Sequence, residues 1–150
     1  RDVRDMGRGT RGVRGISLLK GDSVVGMVAM KQEGVLLTVC ANGFGKRTHL
    51  TDYRLTRRGG KGVINIKTTE RNGTVVSVKE VVDGDELMII SQDGILIRLS
   101  IRDINVIGRN TQGVKLINLG EKDRVIDVAG VVQQTEMSPE VGPNGNGQAK

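Results

Sequence analysis

Between residues 74 and 101, short apolar runs alternate with turn residues. Residues 74–81 read Thr-Val-Val-Ser-Val-Lys-Glu-Val, rich in β-branched side chains and close to strict alternation, and residues 86–91 and 95–101 have the same character. A period of two sends one face of each segment into a core, so the pattern predicts short strands. The dipeptides Asn42-Gly43, Asn72-Gly73 and Asp93-Gly94 each separate two apolar runs. Asn or Asp followed by Gly reaches positive φ at little cost, which predicts a tight hairpin at each of them. Residues 114–119 and 125–132 continue the strand pattern, which then stops. Residues 138–150, rich in Pro, Gly, Asn and Gln and without periodicity, are expected to form a disordered tail.

The pattern itself repeats. Gly7-Arg8-Gly9-Thr10-Arg11-Gly12-Val13, Arg57-Arg58-Gly59-Gly60-Lys61-Gly62-Val63 and Gly108-Arg109-Asn110-Thr111-Gln112-Gly113-Val114 superimpose, with Gly12, Gly62 and Gly113 lying 50 and 51 residues apart. Ten residues before each of these glycines stands an aspartate, Asp2, Asp52 or Asp103, while Asn42-Gly43 aligns with Asp93-Gly94 and Arg47 with Arg98. About four short strands in each unit predict an all-β array of propeller-like blades, in which every small sheet hides its apolar face against a neighbour. The units start near residues 7, 57 and 108, and the array is expected to occupy residues 1–137 as about three four-stranded blades. Three units do not close a ring and leave strand edges open. The chain is therefore read as part of a larger circular domain, in keeping with an opening that lacks Met and falls at the end of a unit.

Charge adds a direction to this picture. The formal net charge is +6, but residues 1–62 hold 13 Lys and Arg against 5 Asp and Glu, while the remainder holds 10 against 12. A basic field of this kind attracts a polyanion, whether duplex nucleic acid, anionic lipid or an acidic protein. With Phe44 and Tyr53 as the only aromatic residues, a row of platforms for stacking unpaired bases is excluded. The single cysteine, Cys40, excludes a disulfide framework and a cysteine-cluster zinc site, and it predicts a reducing, cytoplasmic setting. It lies in the apolar run 35–41 and reads as a small core residue. No apolar run approaches the roughly 20 residues of a membrane span. No Ser/His/Asp nucleophile set, phosphate-binding glycine loop or metal-ligand cluster is visible, so no catalytic residue, metal or cofactor is assigned to the chain. The repeated aspartates sit on separate units, where single carboxylates cannot converge on one ion, and read as turn caps. His49 reads as a surface residue.

The box Arg57-Arg58-Gly59-Gly60-Lys61-Gly62, preceded by Thr56, resembles the seven-residue box of the DNA gyrase A carboxy-terminal domain family, in which glutamine is the usual first residue. Gly108-Arg109-Asn110-Thr111-Gln112-Gly113-Val114 looks like the form this segment takes in that family's last blade, and Gly43-Phe44-Gly45-Lys46-Arg47-Thr48 and Thr69-Glu70-Arg71-Asn72-Gly73 are similar to its later blades. The resemblance covers about residues 1–135. It implies a six-bladed β-pinwheel of which this chain corresponds to the final three blades, with Arg57–Gly62 in what aligns with the fifth blade, whereas the family's wrapping box lies in the first. The corresponding chain of topoisomerase IV is the nearest competing identity.

The resemblance implies a non-catalytic module that binds and wraps double-stranded DNA for a type IIA topoisomerase and supports ATP-dependent negative supercoiling. The partners it implies are the gyrase B chain and the rest of the gyrase A chain in a bacterial, nucleoid-associated cytoplasmic enzyme, which itself uses Mg and ATP. Glycines permit close approach and expose backbone N–H groups, and flanking cations reach phosphates. The expected DNA-binding residues are Arg8, Arg11, Arg14, Lys46, Arg47, Arg57, Arg58, Lys61, Arg98 and Arg109. Gln112 replaces the charge of Arg11 and Lys61 in the third box, so the rim is expected to be most basic on the first two units. Tyr53, the only tyrosine, falls at a blade junction, and the family's catalytic tyrosine belongs to an amino-terminal part that this chain does not include. The competing readings are boxes that merely close turns between blades, a protein-interaction propeller with a basic face, and a propeller enzyme with a site in its central channel.

Overall fold

The computed structural model describes residues 4–30 and 34–131; the expected tail lies outside them. Seven strands form two antiparallel sheets: β1 (Val35–Cys40), β2 (Phe44–His49), β3 (Val75–Val81) and β6 (Val114–Lys115) in the order β3-β1-β2-β6, and β4 (Glu86–Ser91), β5 (Leu96–Ser100) and β7 (Val125–Val131) in the order β5-β4-β7. The chain forms the expected all-β array, but its described residues make two sheets, of four and three strands, rather than about three four-stranded blades. Its hairpins turn at Asn42-Gly43, between β1 and β2, and at Asp93-Gly94, between β4 and β5, with Gly43 at φ 81° and Gly94 at φ 86°.

The repeat is written into the backbone pairing. Val35 pairs with His49 and Glu86 with Ser100, each 51 residues further on. The β1–β3 ladder slips between Val39 and Cys40, and the β4–β7 ladder slips between Ile90 and Ser91, at the same offset. A bulge adds local twist, so both blades are bent at one place. Leu37 and Val39 from β1, Val81 from β3, Leu87 and Ile89 from β4, and Val125 and Val128 from β7 pack into a single core with Ile101, Ile104 and Ile117. On β1 the alternation is lost, because Leu37, Thr38, Val39 and Cys40 are all buried. Both faces of this central strand are covered.

Three sequence expectations change in the folded chain. A blade is not a sequence unit: the four-stranded sheet takes β1 and β2 from the first unit, β3 from the second and β6 from the third. The expected strand 114–119 shrinks to two residues, Val114 and Lys115, paired with Gly45 and Phe44. Asn72-Gly73 makes no hairpin; Gly73 adopts φ 75°, but Asn72 is fully buried and its amide ties two units together. Nδ2 donates to the carbonyls of Lys67 and Gln112, both at 3.0 Å, and Oδ1 accepts from the backbone N–H of Thr69 at 2.7 Å. Residues 23–30 repeat the sequence of β3 and β7 without forming a strand. β3 and β7 are held by the preceding strands β1 and β4, and the described residues before position 23 include no such hairpin.

Candidate nucleic-acid interface

Each glycine box is a tight turn that ends on a left-handed glycine: Gly12, Gly62 and Gly113 have φ 74°, 76° and 79°. Thr10 closes the first turn by donating Oγ1–H to the carbonyl of Gly7 at 3.0 Å, and Thr111 repeats this in the third toward Gly108 at 2.9 Å. Consecutive boxes are stitched side by side. Ser17 donates its backbone N–H to Gly60 at 2.9 Å, and Lys67 donates to Thr111 at 2.8 Å. These two bonds are one repeat apart and tie the segment after one box to the next box, so the three boxes lie in a row. Gly59 adds a backbone bond to Gly15 at 2.7 Å.

Along that row Arg8, Arg11 and Arg14 in the first unit and Arg57, Arg58 and Lys61 in the second are exposed. Six of the ten expected cations thus share one line of turns. The first box is also open to close approach, for a Cβ added at Gly7, Gly9 or Gly12 would meet nothing within 4 Å.

The other four are engaged by the protein. Lys46 is buried, and its Nζ donates to the carbonyls of Gly108 and Arg109, both at 2.7 Å. Arg47 is 7% exposed, donates Nε–H to the carbonyl of Ile104 at 2.6 Å and pairs with Asp83. These two do not join the exposed track. They follow the Asn42-Gly43 turn on β2, and residues 105–116, from the end of the second unit into the third, pack along β2 through Arg47 N–H to Asn105 at 3.0 Å and Leu116 N–H to Gly43 at 2.8 Å. Arg98 is exposed but bridges to Glu86 across the β4–β5 hairpin. Arg109 is half-buried: it donates Nε–H to the carbonyl of Asp52 at 2.7 Å and Nη1–H to that of Ile64 at 2.8 Å, and lies over the Tyr53 ring.

Tyr53 therefore works as a platform. Its hydroxyl donates to Asn65, whose amide donates to Thr38 at 2.8 Å. Burial pushes the Tyr53 phenol up, against a hydrogen bond with Thr48 and the nearby Arg109 charge. Cys40 is buried as expected, and burial pushes its thiol up to about 11, an inert state. Asp52 and Asp103 each end a short 3-10 turn, Leu50–Asp52 and Ile101–Asp103, and at the second it is the Ser100 hydroxyl that caps, accepting from Arg102 N–H at 3.4 Å. Asp2 lies outside the described residues. Among the described residues no three His, Cys, Asp or Glu side chains are grouped to hold a metal ion, and no helix is long and apolar enough to cross a membrane.

Two exposed cations outside the expected set sit over the Phe44 ring: Arg71 at 4.9 Å and Lys115 at 5.8 Å from its centroid. The signal available for Lys115 was its register with Arg14, immediately after the third and first boxes respectively.

A family model described as the DNA gyrase C-terminal domain, a β-propeller, matches residues 1–29, 35–81 and 85–131. The gyrase A chain of Escherichia coli strain K12 is 45% identical over 134 residues, and that of Staphylococcus aureus strain NCTC 8325 is 46% identical over 136. In both cases 89% of this chain is covered and 15% of the relative, so the chain spans about 15% of the length of these curated relatives. A solved DNA gyrase A C-terminal domain superposes with a TM-score of 0.79 at 30% identity, over 88% of this chain and 45% of that one. The C-terminal domain of DNA topoisomerase IV gives the same TM-score of 0.79 at 22% identity, over 87% and 41%, which is a likeness of fold. Each of the three matched blocks contains one of the glycine boxes that the backbone hydrogen bonds join, and the chain belongs to the DNA gyrase C-terminal domain family.

Proposed function

We propose that this chain is a non-catalytic, duplex-DNA-binding module of a type IIA topoisomerase, and that its row of glycine boxes is part of a curved rim around which DNA is bent. The observation that carries the reading is the stitching of consecutive boxes one repeat apart, which spaces Arg8, Arg11 and Arg14 and then Arg57, Arg58 and Lys61 along one line. Bending 20–30 base pairs by 40–90° costs of order 1–6 kcal/mol. A rim offsets that cost by many phosphate contacts, and repeating blades supply them at intervals. Relatives at 45% and 46% identity that are gyrase A chains favour a gyrase parent over topoisomerase IV. In such a parent, in the bacterial cytoplasm, the module would work beside the gyrase B chain and the remainder of the gyrase A chain, supporting ATP-dependent negative supercoiling, with Mg and ATP handled outside these residues.

Backbone contacts carry no base information, so binding is expected to prefer duplex and to be nearly blind to sequence. Equimolar competition between labelled duplex and single-stranded DNA tests the binding, and sealing a nicked circle in the presence of the protein tests the wrapping. A preference for single strands overturns the reading, and an unchanged linking number removes the wrap. Weak, salt-insensitive DNA binding combined with tight capture of an acidic protein would favour the interaction-propeller alternative.

A further inference from the structure

The third box is the poorest in exposed charge. Gln112 stands where Arg11 and Lys61 stand in the first two boxes, and Arg109 is engaged by the carbonyls of Asp52 and Ile64. Positive charge nevertheless reappears beside it. Lys115 follows this box on β6 and is the direct cross-strand partner of Phe44 on β2. Arg71 approaches the same ring from the turn before β3. Both backbones are pinned. Asn42 Nδ2 donates to the carbonyls of Glu70 at 2.9 Å and Arg71 at 3.2 Å, and the adjacent Asn72 is bound to the carbonyl of Gln112 within the box itself.

We propose that Arg71 and Lys115, braced against Phe44 beside the third glycine box, form a further phosphate-binding subsite for the backbone of duplex DNA. Phe44 is 5% exposed and fixed between β1 and the third unit, so its ring is a rigid seat. A cation over an aromatic face gains roughly 0.5–1 kcal/mol at an exposed site, enough to favour one position for a long side chain. Among the described residues the ion pairs are Arg47 with Asp83 and Arg98 with Glu86, neither of which involves this pair. A phosphodiester suits the pair: Arg71 offers a planar fork to its two non-bridging oxygens and Lys115 a point charge to one of these or to the next phosphate. The pair continues the basic line at the point where the box sequence interrupts it.

This inference rests on the duplex-binding reading, and the test separates the two. Fluorescence anisotropy of a labelled duplex is titrated with the full chain across a series of KCl concentrations, for the wild type and for R71Q/K115Q. Loss of one or two phosphate contacts makes the slope of log K against log salt shallower by about 1 to 2 units. The thermal midpoint stays near the wild-type value, because both side chains are exposed. The variant K20Q/K122Q, which removes the same charge elsewhere on the surface, should leave the slope close to wild type. An unchanged slope in R71Q/K115Q overturns the subsite while leaving duplex binding intact, and equal flattening by K20Q/K122Q overturns it as an effect of bulk charge. A wild-type chain without salt-dependent duplex binding removes both the reading and the subsite.

Discussion

The ammonium of Lys46 donates to the carbonyl of Arg109 at 2.7 Å, across 63 positions of sequence, and through it β2 of one blade holds the third glycine box in place. A cation that composition alone assigns to a DNA-facing surface is thus an internal fastener. Replacing it by Met leaves the carbonyls of Gly108 and Arg109 without their donor and should cost about 1–3 kcal/mol of folding stability. Denaturant unfolding of the variant against the wild type measures this, and an unchanged midpoint would remove Lys46 from the framework.

The same residue gives stability a pH signature. Burial, with Arg109 adding to it and Asp52 and Cys40 opposing, lowers Lys46 from 10.5 to about 8. Between those values the unfolded chain keeps a proton that the folded chain has released, so stability rises with pH. Cys40, raised by burial from 9.0 to about 11, acts in the opposite sense above pH 9, where the unfolded chain loses a proton that the folded chain retains. The expected profile gains about 0.5–1 kcal/mol from pH 8 to 9 and then levels. In Lys46→Met the gain is absent and stability declines from pH 9. Urea titrations between pH 7.5 and 10 distinguish the two profiles, and an identical rise in the variant would assign it to another group.

Asn72 joins the second unit to the third through its bonds to Lys67 and Gln112. Asn72→Ala strands two carbonyls and the N–H of Thr69, and the expected loss is about 2–4 kcal/mol. Hydrogen exchange should show the loosening at residues 67–73 and 110–114 before it reaches the β4–β7 ladder. Uniform exchange across the chain would show that this link is not a local one.

Gly12 and Gly113 occupy equivalent box positions with nearly equal φ, 74° and 79°. A Cβ at Gly113 would stand 2.7 Å from the carbonyl oxygen of Gly45, whereas one at Gly12 meets nothing within 4 Å. Gly12→Ala should cost about 1–2 kcal/mol, the left-handed backbone alone. Gly113→Ala adds a clash with β2 backbone and should cost about 3 kcal/mol or more. Equal thermal midpoints for the two variants would contradict the close packing of the third box on β2.

Arg11 and Lys61 are aligned one repeat apart and exposed on consecutive boxes. Arg11→Gln with Lys61→Gln should flatten the salt dependence of duplex binding by about 1 to 2 units without altering stability. If the slope is retained, the boxes only close turns between blades.

Residue order alone prescribes most of the strand pattern, the period of 50 and 51 residues and the glycine boxes, and of its three Asx-Gly hairpins two form, at Asn42-Gly43 and Asp93-Gly94. All of these are local: alternation sets which face of a strand is apolar, and only glycine reaches positive φ without strain. The alignment of Arg11 with Lys61 was equally legible, because a repeat places like residues at like points. Which cations are taken up beneath the surface is settled only when the units pair. Lys46, Arg47 and Arg109 read as members of a basic surface until residues 104–116 are seen to pack along β2 and the turn that follows it, where backbone carbonyl oxygens from other units accept from all three. The role of Asn72 was hidden for a related reason, since its partners Lys67 and Gln112 meet only when strands from different units share one sheet. Spacing along the chain reports what a residue can form with its neighbours, and the pairing of units fixes which donors and acceptors become buried together. That is why the boxes could be read from the sequence and the fasteners beneath them could not.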